Sequence, residues 1–389
     1  MNSDHKGVYR ILIIVCHSLG ESDVLFPLIA ALRRKYPIDV EMVFTVEKIY
    51  NQFNSSKFYR YCIKNLGCKV TFMTLPNKFD LKFRKYMTSA VGFGYFRVIY
   101  WLFYLRNLPF LICKLFHADI YMHEYINQYR ANRPLYWANK LLGKRVIVYS
   151  HAHSITLDTK TTRKVRYADR VCCLQFHEQN KEYMLNLGFD NQYTIGYPKF
   201  FKEWTDMVKK YNGSEFDGKD IILIYTRGVS TWYMDEDKYV GLLASSCRVI
   251  RKMMGDILIV IKPHPREDIE FIKRVLEREK VSNYIISWEH AAVLAMKAKI
   301  AISFFGSTIL DSLSLGVPSV EYYIEAEKFR ETEPEGSAYK KLGIHSVDNE
   351  HGLEDFIEMV LDGRYKVPSV IDEISQIKDI RFLELRNFN

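Results

Sequence analysis

Runs of consecutive apolar residues recur along this chain, separated by polar turns and helical patterns. Tyr9–Val15 is the first, followed by the polar turn Cys16–Asp23 with Gly20, and then by a helical pattern over Val24–Arg34 that ends near Pro37. Asp39–Val46 and Cys68–Met73 continue the series, and Ala118–Met122, Arg145–Tyr149, Val171–Leu174 and Tyr193–Ile195 extend it. Continuous apolar runs are the mark of strands buried on both faces. Their alternation with helical patterns predicts parallel βαβ units in a doubly wound sheet.

A second series opens after Tyr197–Lys219, a stretch with Pro198, Gly213 and Gly218 among charged residues that reads as an interdomain crossing. Strands are predicted at Asp220–Tyr225, Ile257–Ile261, Asn283–Ile286, Ile300–Ser303 and Ser319–Tyr322. Helices are predicted between them at Asp235–Met254, Glu267–Glu279, His290–Ala298 and Ser307–Leu315. The 389 residues are too many for one ordinary core. The expectation is therefore an α/β protein of two Rossmann-like, doubly wound parallel-sheet domains facing across a cleft, the architecture called GT-B. The boundaries read as 1–197, a linker over 198–219, a second domain over 220–370, and a tail or helix over 371–389. No internal repeat or low-complexity tract interrupts this plan.

Composition adds little to the fold, with 48% hydrophobic and 26% charged residues typical of a globular protein. Seven cysteines, an odd number without a CxxC and mostly in apolar runs, predict buried free thiols in a reducing compartment. No N-terminal signal peptide is read, because the apolar run Ile11–Val15 is short and leads into a loop. A cytoplasmic protein is expected.

Charge changes the picture more. Residues 1–190 hold 28 Lys and Arg against 14 Asp and Glu, although the whole chain carries only +9. Over 51–150 the balance is 16 basic to 3 acidic. Such a field suits an anionic partner. Within it, Val91–Phe116 is apolar and aromatic but interrupted by Arg97, Arg106 and Lys114, so it lacks the roughly 20 uncharged residues of a spanning helix. Two readings fit this segment equally. One is an interfacial element on the inner face of an anionic membrane; the other is a core helix with snorkelling basic residues. No recognised nucleic-acid motif accompanies the charge, and no nucleic-acid partner is expected.

The chemistry concentrates in the second series. DILIVIKPHPREDIEF is a buried strand whose carboxyl end delivers Lys262 and His264, with Pro263 and Pro265 stiffening the turn. Ligands of open α/β sheets bind at such strand ends. Both side chains donate to phosphate oxygens, and the next helix points its positive end at the same space. In AISFFGSTILDSLSLGVPSV the strand ends at Ser303, Gly306 permits close backbone approach, and Ser307 and Thr308 open a helix with hydroxyls and unpaired amides. Asp311, one turn on, suits ribose hydroxyls. Arg227, in the loop after Asp220–Tyr225, can face a phosphate or a sugar carboxylate. The plainer readings are an ordinary loop at Lys262–Pro265, a self-capped helix at Ser307, and a surface turn at Arg227.

On these residues the chain resembles the donor domains of bacterial capsule and teichoic-acid transferases, including those that use CMP-activated acidic sugars or CDP-glycerol. In that group the His of the HP pair and the Ser/Thr at the helix start hold the donor phosphate, which places those roles on His264, Ser307 and Thr308. DSLSLGVPSV is similar to the EAxxxGxP tail of many GT-B donor domains, with Asp311 in the ribose position. Retaining members carry a second Glu upstream, where this chain has Ser303-Phe304-Phe305. The resemblance thus implies an inverting transferase, with a nucleotide-sugar donor in 220–370 and a glycan or lipid-linked acceptor at 1–197.

An inverting transfer needs a general base. HSLGESDVLFPLIAALRRKYP looks like the first loop and helix of lipopolysaccharide heptosyltransferases, where a carboxylate just after the Gly is catalytic. Either Glu21 or Asp23 falls in that position, although both also suit a helix N-terminus. The rival is His153 of Ser150–Ser154, at a strand end resembling that of teichoic-acid polymerases; His123-Glu124 is a weaker choice. The His151/His153 pair lacks a third zinc ligand at sensible spacing. No DxD stands at a strand end, so neither metal nor cofactor is expected, and Lys262, His264 and the helix amides would stabilise the leaving phosphate. Two other functions remain open: a sugar-nucleotide 2-epimerase, and a non-catalytic module for anionic glycans.

Overall fold

In the computed structural model the alternation becomes two separate parallel sheets. The structure describes residues 7–16, 18–73, 102, 105–107, 109–125, 142–150, 165, 171–230, 232–369, 371 and 380–383. The first sheet contains β1 (Tyr9–Val15), β2 (Ile38–Phe44), β3 (Lys69–Phe72), β4 (Ile120–Glu124), β5 (Arg145–Tyr149), β6 (Cys172–Gln175) and β7 (Gln192–Thr194). The second contains β8 (Ile221–Tyr225), β9 (Leu258–Lys262), β10 (Tyr284–Ile286), β11 (Ala298–Ser303), β12 (Ser319–Tyr322) and β13 (Ser346–Val347). Their orders are β3-β2-β1-β4-β5-β6-β7 and β10-β9-β8-β11-β12-β13. Both are doubly wound: the chain builds outward from β1 or β8 on one side, then returns to build on the other. Ligands of such sheets bind where the order reverses, outside the carboxyl ends of β1 and β4 or of β8 and β11.

The chain divides into one unit of residues 1–204 and 377–389, and a second of residues 205–376. Each has its own core. In the first, Leu12, Ile14, Tyr121, Val148 and Cys173 meet Leu111 and Leu115 of the helical residues 109–117. In the second, Leu223, Tyr225, Val260 and Ala301 meet Leu294 and Ala295. All five residues of β8 are buried, so an uninterrupted apolar run is what its place at the sheet centre requires.

Two local differences from the sequence expectations have physical causes. The first helix begins at Gly20, not Val24, because Glu21 turns inward and is buried instead of marking a polar loop. The stretch 198–219 contains the helix Lys202–Lys209, whose Trp204 is buried and packs edge-on against Phe58 at 5.6 Å. That apolar anchor is masked in the sequence by the surrounding lysines. The seven cysteines are free, six of them buried and Cys113 exposed. Burial pushes the Cys68 thiol up to about 11 and Cys247 up to about 12, so neither is a thiolate at neutral pH. Among the described residues no helix is long and apolar enough to cross a membrane.

Candidate functional site

The second unit brings three neighbouring strand ends, those of β9, β8 and β11, together at its reversal point. The Thr226 amide, just past β8, donates to the Lys262 carbonyl at 3.2 Å. Thr226 Oγ1 donates to Glu267 Oε2 at 2.8 Å, and the same oxygen accepts from the His264 amide. Glu267 therefore ties the β8 loop to the β9 loop. Burial raises its carboxyl pKa, against the hydrogen bonds that favour the anion. A Cβ on Gly228 would come within 3.0 Å of Glu267 Cγ, so the glycine allows this close crossing.

Three cationic side chains surround His264. Burial first, then the charges of Arg227, Arg266 and Lys262, push its imidazole down to about 3. The ring is neutral at physiological pH. Its Nδ1 lies 3.3 Å from the Arg266 amide, which donates to it, so the proton sits on Nε2 and that nitrogen is a donor. Arg227 places its guanidinium 5.3 Å from the Tyr233 ring centre, and its buried Nε has no hydrogen-bond partner among the described residues. Lys262 Nζ stands 5.3 Å from the ring centre of Trp288, which is 55% exposed. A neutral donor flanked by cations suits an anionic oxygen better than a neutral ligand.

The β11 end supplies the backbone. Phe305 has φ +68°, a left-handed conformation that costs a bulky residue about 1–2 kcal/mol. Its ring pins it there, stacked on Tyr323 at 4.7 Å and edge-on to Phe329 at 5.2 Å. Strain of this kind is characteristic of positions that aim a functional turn. The turn is Gly306–Thr308. The amides of Ile309, Leu310 and Asp311 are spent on its carbonyls at 3.0–3.2 Å, while the amides of Gly306, Ser307 and Thr308 have no protein acceptor among the described residues. A Cβ on Gly306 would meet Thr308 Oγ1 at 3.3 Å. Asp311 is 1% exposed and acts on Tyr225 and Tyr339, whose phenols are held well above their usual range chiefly by burial. A ribose hydroxyl meets this carboxylate only if the groups covering it give way.

Sequence reasoning passed over several members of this arrangement. Glu267 stands three residues after His264, across a turn closed by its amide donating to the His264 carbonyl at 2.9 Å, an HPxE spacing that could have drawn attention. Glu321, in β12, is buried and accepts from Ser337 Oγ at 2.5 Å and Ser346 Oγ at 3.0 Å. Its other oxygen has no partner among the described residues, and burial pushes its carboxyl up to about 7. A lone acid inside the apolar run Ser319–Tyr323 was the available signal. The left-handed Phe305 had none, because aromatic residues rarely adopt that conformation.

In the first unit the two candidate carboxylates differ sharply. Glu21 is buried; Oε1 accepts from the amides of Cys16 at 3.0 Å and Ser18 at 3.2 Å, and Oε2 accepts from Tyr149 Oη at 2.9 Å. It clamps the β1 exit loop to β5. Asp23 is half-buried and accepts from Tyr59 Oη at 2.6 Å. His123 is buried, with Nδ1 2.9 Å from the Glu124 carbonyl. His151 and His153 lie outside the described residues. Among the described residues no group of three or more His, Cys, Asp or Glu is arranged to hold a metal ion.

No protein-family model matches the chain, and no curated protein matches its sequence. Solved structures do. UDP-GlcNAc 2-epimerase from Methanocaldococcus jannaschii superposes with a TM-score of 0.55 at 14% identity, over 93% of this chain and 95% of that one. Anabaena HepE, in complex with UDP and glucose, gives 0.55 at 11% identity over 95% and 94%. TcCGT1 in complex with UDP gives 0.58 at 9% identity over 95% and 94%. At these identities the likeness is one of fold: two Rossmann-like parallel-sheet domains of the GT-B class.

Proposed function

We propose that this chain is a nucleotide-sugar-dependent GT-B enzyme, and within that class an inverting, metal-independent glycosyltransferase acting on a surface polysaccharide or lipid-linked oligosaccharide. The observation that carries the reading is the convergence of a neutral His264 donor, the Arg227 and Lys262 cations and three free amides at the β8/β11 reversal point. Such a set neutralises a diphosphate or monophosphate leaving group without proton transfer from a metal-bound water. Residues 220–370 then bind the donor and residues 1–197 the acceptor. The similar structures hold UDP or UDP-GlcNAc, which makes uridine donors the first to try beside cytidine ones.

Asp23 is the better base of the two loop carboxylates. The Glu21 oxygens are committed to holding backbone and Tyr149, so Glu21 acts by positioning the loop. Asp23 is half-buried and accepts from Tyr59 Oη at 2.6 Å, which leaves it less enclosed than the fully buried Glu21. His153 stays a candidate on its sequence position. A second reading, a UDP-sugar 2-epimerase, draws on the fold likeness to the Methanocaldococcus enzyme.

Incubation with CMP-, CDP-, UDP-, GDP- and ADP-sugars, followed by NMR, separates the readings. Nucleotide release that increases with an added glycan acceptor supports transfer. A new epimer with the nucleotide retained supports the second reading. Binding of a glycan with no change in any nucleotide sugar defeats both.

A further inference from the structure

We propose that the helical residues 102, 105–107 and 109–117 form a docking surface for an anionic lipid bilayer, an inference that goes beyond the donor-site reading and does not depend on it. One face of this helix is core: Leu111 and Leu115 are fully buried against the first sheet. The opposite face should then be polar in a freely soluble unit. It is apolar instead. Leu102 and Leu105 are each 60% exposed and Phe116 is 65% exposed, with Phe110 and Ile112 at 41%. Five of the large exposed hydrophobic side chains thus fall within fifteen residues.

Spacing and charge make this a designed surface. Leu105, Pro109, Ile112 and Phe116 follow steps of four, three and four residues, so they form one stripe. The stripe lines an open depression of about 670 Å³ together with Cys113 and His117. Contiguous apolar exposure of this kind marks an interaction site. Cations border it: Arg106 is exposed, and Lys144 Nζ donates to the Phe116 carbonyl at 2.9 Å and lies 5.9 Å from its ring centre. Lys114 is balanced by Glu41 at 2.7 Å. Between Asp80 and Asp119 the sequence has no acidic residue, but six basic ones.

This combination favours a membrane over a second copy of the chain. A two-fold contact through the same face would bring two sets of the Arg106 and Lys144 charges into one interface, and like charges there oppose association. An anionic headgroup layer supplies the opposite charge around an apolar interior, which the stripe enters to a shallow depth. No helix needs to span the bilayer for this.

Vesicle co-sedimentation of the full chain tests the proposal without any activity measurement. The protein should pellet with phosphatidylcholine–phosphatidylglycerol vesicles, much less with phosphatidylcholine alone, and be released at about 0.5 M salt, where the Debye length is only a few ångströms. The double variant Leu105→Ser, Phe116→Ser should weaken binding by about a hundredfold, each side chain contributing about tenfold. Both positions are exposed, so thermal unfolding and nucleotide binding of the variant should match the wild type. Arg106→Glu should weaken binding to anionic vesicles specifically. The proposal is overturned if the wild type stays in the supernatant, or if the double variant pellets equally well. It is also overturned if sedimentation without lipid shows a dimer that the double variant dissociates, which would make the face a contact between copies.

Discussion

Replacing His264 by alanine tests the proposed donor site at its most explicit point. Burial and three neighbouring cations push the imidazole down to about 3, so it stays neutral across any workable assay range. With Nδ1 accepting from the Arg266 amide, the side chain offers a single Nε2–H. A hydrogen bond to a charged group is worth about 1.5–3 kcal/mol, so its loss should lower kcat/KM about 10- to 150-fold. The assay is nucleotide release from the best donor between about pH 5 and 9. Wild-type and variant profiles should run parallel, since no protonation of His264 intervenes. A wild-type acid limb near pH 6.5 that vanishes in the variant would mean that the ring works as an imidazolium, refuting the argument. Unchanged kcat/KM would remove His264 from the site. Stability supplies an independent check with a definite sign. The folded pKa lies below the unfolded value of 6.5, so between the two values the unfolded chain binds the extra proton. Stability is therefore full above pH 6.5 and falls as the pH drops toward 3. At pH 5 the loss should be about 1 kcal/mol, allowing for the ring's partial exposure, and His264→Ala should abolish that part of the acid sensitivity in denaturant titrations.

The loop carboxylates should separate by readout. Glu21→Ala leaves two amides and the Tyr149 hydroxyl without their acceptor and should cost about 3–5 kcal/mol in denaturant unfolding, whereas Asp23→Asn should leave stability within about 1 kcal/mol and remove most of kcat. If Glu21→Gln instead lost kcat while Asp23→Asn kept it, the assignment of base and clamp would be reversed. Glu321→Gln probes a buried acid of the opposite sign. Its folded pKa of about 7 exceeds the usual 4.5, so the stability it contributes is present below pH 4.5 and is lost as the pH rises through 7. The glutamine variant should therefore gain on the wild type by up to about 3 kcal/mol between pH 5 and 8, and equal pH slopes in the two proteins would show that Glu321 does not titrate in this range.

Much of the second unit was legible because its signals are local. A buried parallel strand reads as an apolar run, so Arg145–Tyr149 and Ser319–Tyr322 emerge with the bounds predicted for them. The long helix predicted over Asp235–Met254 emerges at Glu236–Met254, with the Asp235 side chain accepting from the Lys238 amide at its start. Lys262, His264 and Gly306–Thr308 follow, since each stands a fixed few residues past a strand end. What could not be read was whatever depended on partners distant in sequence. Glu21 reads as a first-turn acid, but Tyr149, 128 residues away, helps make it a buried clamp. Asp311 reads as a ligand-facing carboxylate, and its burial, beside phenols whose pKa it helps to raise, could not be read from the helix pattern.

The sequence by itself therefore determined the periodicity of the elements, the division into two parallel sheets and the residue types delivered to the strand ends, because these follow from backbone geometry and the burial of apolar runs. Only the tertiary structure decided which charges share an environment. Arg227 follows β8 whereas Lys262 and His264 stand at the end of β9, and their mutual effect exists only once β8 and β9 lie side by side. The same holds for the helical residues 109–117, whose apolar character was plain in the sequence. Packing then set which face entered the core and which stayed outside, since the sheet offers the helix only one surface to cover.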